Sequence, residues 1–149
     1  MLRIVLKTSV LYLALTLTAT VFVGANRLEI PAPLNEDIIG IRMPYYNERG
    51  VLKMQFDASF ARKTDEDHAI FTHLIVHYLL EGNSDLFHIE VPSGILDLQN
   101  YILSGHNSIV LQGKGIRITA KSIMLKAKSR LIHLQEDVKV VINHHDLYQ

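Results

Sequence analysis

His73 and His77 stand four residues apart, the interval at which a helix sets two imidazoles on one face for a zinc ion. Leu74 follows His73 where such a motif carries its general-base glutamate, and on a strand the two rings are separated along the pleat. No metal role is assigned to them. His144-His145-Asp146 also offers ligand atoms, but neighbours on an extended chain point to opposite sides, so 144–149 reads as a polar tail. Asp65, Glu66 and Asp67 could supply an acid and a base, yet they run on from Lys63 and Thr64 in what reads as a solvated loop. Gly113-Lys114-Gly115 is too short for a phosphate loop and leads into a strand, not a helix N-terminus. No serine lies in a Gly-x-Ser-x-Gly turn, and cysteine is absent, which excludes thiolate catalysis, zinc-thiolate sites and disulfides. The sequence therefore predicts no enzyme, no metal and no cofactor.

Composition narrows the remaining classes. Lys plus Arg and Asp plus Glu both number 15, so no net field draws the chain to nucleic acid. With no tryptophan and aromatics at 7%, a ligand surface would be mainly aliphatic, which suits acyl chains better than stacked sugars or bases. A chain of 149 residues, 48% hydrophobic, holds one domain and a short extra segment.

The elements that must position such a surface alternate with period two, as half-buried strands do. Leu52, Met54, Phe56, Ala58 and Phe60 share one face; so do Phe87, Ile89 and Val91, then Ile116, Ile118 and Ala120, then Val138, Val140 and Ile142. Turn residues punctuate them at Asn47–Gly50, Gly82–Asp85, Ser104–Asn107 and Gln112–Gly115. A repeat of about 29 residues aligns Ile89 with Ile118, Leu103 with Ile132, Ile109 with Val138 and Leu111 with Val140. A looser earlier copy runs from Phe56-Asp57-Ala58 to Ile75-Val76. Helical spacing is also present across His68–Leu80, but Ile70, Phe71, Thr72, Ile75, Val76 and Tyr78 favour a strand. The fold class is all-β: a sandwich, jelly roll or open barrel.

The first 25 residues carry Arg3 and Lys7 and then no charge from Ser9 to Ala25. Val23-Gly24-Ala25 fits a cleavage site, whereas counting from Ile4 gives the length of a membrane-spanning helix, so a signal and an anchor both remain open. Arg3 and Lys7 favour a cytoplasmic N-terminus in either case and place the rest of the chain across the membrane. Residues 26–37, with Pro31 and Pro33, read as an extended linker, and 38–143 as the folded domain.

The strings Pro44-Tyr45-Tyr46-Asn47-Glu48-Arg49-Gly50, Phe56-Asp57-Ala58-Ser59-Phe60-Ala61 and Leu134-Gln135-Glu136-Asp137-Val138-Lys139-Val140 resemble the LptC family, the periplasmic component of lipopolysaccharide export related to LptA and the OstA-like domain. The resemblance covers about 36–143. It implies an open β-jelly roll on one transmembrane helix of the inner membrane. Such a domain would take lipopolysaccharide from an inner-membrane ABC transporter and pass it to an LptA-like bridge protein. The lipid A acyl chains would lie in the apolar interior. The inner-face positions Phe56, Ile89, Val91, Leu103, Ile109, Ile118, Ile132, Val138 and Val140 are the expected groove, and Val138, Lys139, Val140, Val141 and Ile142 the expected edge for pairing with a partner strand. Glu136-Asp137 stands where the family usually has a small turn glycine, and the tail after Ile142 is short. The rival expectation is a structural or assembly module with a closed core, binding protein partners through its strand edges.

Overall fold

The computed structural model describes residues 28–80 and 85–143. Eight strands follow in order: β1 (Asp37–Tyr46), β2 (Leu52–Lys63), β3 (His68–Leu79), β4 (Asp85–Asp97), β5 (Ile102–Gly113), β6 (Ile116–Lys126), β7 (Leu131–Gln135) and β8 (Lys139–Ile142). They form one antiparallel sheet in sequence order, with β7 and β8 both pairing β6 on different halves of its length. The sheet is open, ending in β1 on one side and in β7 and β8 on the other. The described residues contain no helix, and 68–79 is strand throughout, as its β-branched and aromatic content requires. The N-terminal membrane segment, the turn expected at 82–84 and the 144–149 tail lie outside the described residues.

The apolar residues line up in rows across the sheet. One row runs Met43, Phe56, Val76, Ile89, Leu111, Ile118 and Val140, each in register with the next. A second runs Leu96, Leu103, Leu125 and Ile132. The 29-residue repeat is visible here, because Ile89 and Ile118, Leu111 and Val140, and Leu103 and Ile132 fall in common rows.

Alternation breaks at a common level in the long strands. In β2 the buried set is Met54, Phe56 and Ala58, then shifts to Ala61; in β3 it is Ala69 and Phe71, then Leu74 and Val76. Phe60, expected on the inner face, is therefore displaced from it. The break falls at Gly40 in β1, at His73 in β3, at Asn107 and Ser108 in β5 and at Glu136 and Asp137 between β7 and β8, all with positive φ. Left-handed residues at one level in alternate strands crease the sheet. Residues on both sides of the crease belong to one core cluster, Phe56, Val76 and Ile89 from one half and Phe71, Leu96 and Leu103 from the other.

Ring packing shows how far the sheet folds over. Tyr45 and Tyr101 sit at opposite strand ends and four strands apart, so in a flat sheet they would be roughly 45 Å from each other. Their ring centroids are 5.0 Å apart, edge to face. Leu28 and Ile30, in the segment read as a linker, are buried in the same core, and the Leu28 amide donates to the Leu98 carbonyl. Packing thus begins ahead of β1.

Two expected turns match strand junctions, at Asn47–Gly50 and at Gln112–Gly115, and Asn47 Oδ1 accepts from the Arg49 and Val51 amides. Ser104–Asn107, expected as a turn, is instead inside β5. The tolerance of Asn107 for positive φ serves the crease there, while the chain reverses between β4 and β5, where Asp97 Oδ1 accepts from the Gln99 and Asn100 amides.

Candidate functional site

The nine inner-face positions divide by depth. Phe56, Ile89, Val91, Leu103 and Ile109 are fully buried and packed on each other in the core. Ile132 lies half-buried against its C-terminal margin, as do Leu111 and Leu134, and Ile118 is half-buried in register with Leu111. Val138 and Val140 are exposed. Along the row from Phe56 to Val140 the side chains pass from none of their surface exposed at Ile89, through the half-buried Leu111 and Ile118, to 55% at Val140. The apolar interior therefore opens toward the C-terminal edge, and sequence alternation, which gives the face but not the depth, could not show this.

That edge is β7 and β8. All four residues of β8 are exposed, and Val140, Val141 and Ile142 each expose more than half of their surface. β8 pairs β6 through Ile118–Val140 and its neighbours, and its other side meets no strand among the described residues. Val138, expected as part of this strand, precedes it by one residue, because the break at Glu136 and Asp137 ends only there. The opposite edge, β1, is blunted by Pro44, which has no amide to donate, and by Arg42 paired to Asp57. β8 has no proline and one charge, Lys139. An apolar, unprotected edge is the kind that pairs with another strand.

The histidines and acids do not gather into a site. His73 is exposed at the crease, His77 lies on the outer face 3.7 Å from Asp57, and no group of metal-ligating side chains is present among the described residues. Asp65 accepts from the Asp67 and His68 amides and from the His68 ring, so it caps the β2–β3 turn. The backbone bond from Asp67 and the His68 ring hold its carboxyl below the usual range, and the same contact holds the His68 imidazole above its own.

A second feature, which the sequence reading missed, lies where the folded-over strand ends meet. A cleft of about 560 Å³ is lined on one side by Tyr45, Tyr46, Arg49, Lys53 and Tyr78 and on the other by Tyr101, Lys128 and Arg130. Burial pushes the Tyr78 hydroxyl above its usual pKa against the opposing charge of Arg130, and burial raises Tyr101 likewise. The residues are scattered along the chain and converge only because the sheet creases, so no local motif announces them.

No family model matches the chain, and no curated protein matches it.

Proposed function

We propose that the chain is a periplasmic lipid-transfer component of lipopolysaccharide export, held at the inner membrane by its N-terminal segment, with an open β-jelly roll of the LptC and OstA-like kind. It receives the lipid from an inner-membrane ABC transporter and passes it to an LptA-like bridge protein. The supporting observation is the in-register apolar row that leaves the core at Leu111 and Ile118 and reaches the unprotected edge at Val140. A partner strand added to β8 would extend the same row into the next domain, so pairing and lipid passage use one surface. Acyl chains move along it because each position offers similar burial, about 0.8 kcal/mol per CH₂, with export driven by ATP hydrolysis elsewhere. The open-end residues Ile118, Ile132, Val138 and Val140 carry the contact; the five buried positions hold the trough in shape.

The second reading, an assembly module that binds only protein partners, is favoured by the close filling of Phe56, Ile89, Val91, Leu103 and Ile109. The two differ in what touches the open end. Methyl spectra of the full chain in nanodiscs, titrated with lipopolysaccharide, should shift Ile118, Ile132, Val140 and Ile142 and leave Ile39, exposed at the β1 edge, unmoved. Equal shifts at both edges, or none, would leave the assembly module as the account.

A further inference from the structure

The cleft between the strand ends gathers one chemistry. Four of the six tyrosines in the chain line it, and the other two, Tyr12 and Tyr148, fall outside the described residues. Four cations line it too: Arg49 and Lys53 from the β1–β2 hairpin, and Lys128 and Arg130 from the β6–β7 turn. Glu48 is the one carboxylate among its lining residues. The described residues show no ion pair for any of the four cations, whereas Arg42, Arg62, Lys63 and Lys121 each have a carboxylate partner. Lys128 instead rests over the Tyr101 ring, 4.9 Å from its centroid, and Tyr101 packs against Tyr45 across the cleft.

In a chain with equal numbers of acidic and basic residues, this local excess of positive charge is concentrated, not general. Cations on two facing lips repel each other, and an anion between them turns that repulsion into attraction on both sides. The forked guanidinium groups suit phosphate oxygens, the tyrosine hydroxyls donate or accept, and the ring faces suit the C–H surfaces of a sugar. A volume of about 560 Å³ falls within the range of small-molecule sites.

We propose that this cleft binds a phosphorylated sugar, its phosphate held between Arg49 and Lys53 on one lip and Lys128 and Arg130 on the other, and its ring against Tyr45 and Tyr101. The site lies apart from the open end at β8 and stands on the cleft alone. It holds for a free sugar phosphate and for a phosphorylated glycolipid headgroup alike.

Tyrosine fluorescence reads the cleft directly, since the chain has no tryptophan. The full chain in nanodiscs is titrated with glucose 1,6-bisphosphate, with glucose, and with a glycolipid phosphorylated on its sugar beside its dephosphorylated form. The expected result is a saturable response to the bisphosphate, none to glucose at the same concentration, and binding about tenfold weaker or more in Lys128→Gln/Arg130→Gln. Arg49→Gln should weaken it from the other lip, and Lys128→Arg/Arg130→Lys should restore it. A response to the glycolipid alone, lost with its phosphate and in the same variants, assigns the ligand to a membrane source. Silence toward both phosphorylated probes, equal response to glucose, or unchanged affinity in a natively folded double variant overturns the proposal. The Ile118 and Val140 methyls report the lipid trough separately, so either idea can fail without the other.

Discussion

Gly94→Ala tests whether the crease packs as tightly as its geometry demands. Gly94 pairs with Phe71 on one side and Gly105 on the other, just beyond the break in β4. A methyl group there would press on the Ser104 carbonyl oxygen and stand 2.8 Å from both Gly105 Cα and the tip of the Phe71 ring. The ring could swing aside, but Ser104 and Gly105 offer backbone of the neighbouring strand, which moves only with its ladder. Overpacking of a filled core costs about 1–3 kcal/mol, and the backbone clash places this case at about 3 kcal/mol. For a domain of this size each kcal/mol lowers the melting temperature by roughly 4 °C, giving a fall of roughly 12 °C. Gly50→Ala is the control: nothing lies within 4 Å of its added carbon, and its cost is the positive φ of 73°, about 1 kcal/mol and roughly 4 °C. Far-UV circular dichroism of thermal unfolding on the full chain measures both. A Gly94→Ala protein that melts within about 2 °C of wild type, or above Gly50→Ala, would refute the close approach of β3, β4 and β5 at the crease.

Ile89→Asp should abolish folding, since an unpaired carboxylate in the filled core costs several kcal/mol, whereas Val140→Asp, at an exposed edge, should keep the wild-type melting temperature while losing lipid contact. Circular dichroism and lipid crosslinking of the pair separate the two roles. The Asp65–His68 contact predicts a pH window. The lowered Asp65 pKa contributes stability above the ordinary aspartate range, lost as pH falls through its folded value. The raised His68 pKa contributes stability below the ordinary histidine range, lost as pH rises through its folded value. The melting difference between wild type and Asp65→Asn should therefore peak between those two ranges; a difference independent of pH would contradict the contact.

Much of the sheet was legible because period-two alternation and the 29-residue repeat are local properties. The repeat predicts Ile89 as equivalent to Ile118 and Leu111 as equivalent to Val140, and all four share a row. The crease was hidden, since Gly and Asn at positive φ look the same in a turn and in a bulge; hence Ser104–Asn107 read as a reversal when it lies within β5. Depth was hidden too. Phe56 and Val140 alternate in the same way, yet one is core and the other exposed, a difference set by what the folded-over sheet lays against each face, since Met43 in the edge strand β1 is buried as well. The tyrosine and cation cleft depends on contacts between strand ends that only the fold-over creates.

The proposed route of the lipid is along the open end of the apolar row. Site-specific photocrosslinkers at Ile118 and Val140, with outward-facing and equally apolar Met124 as control, test it in membranes with an active lipopolysaccharide transporter. Lipopolysaccharide adducts at Ile118 and Val140 and none at Met124 are the predicted result. Adducts at none of the three in a folded, exported protein, or equally at Met124, would contradict it.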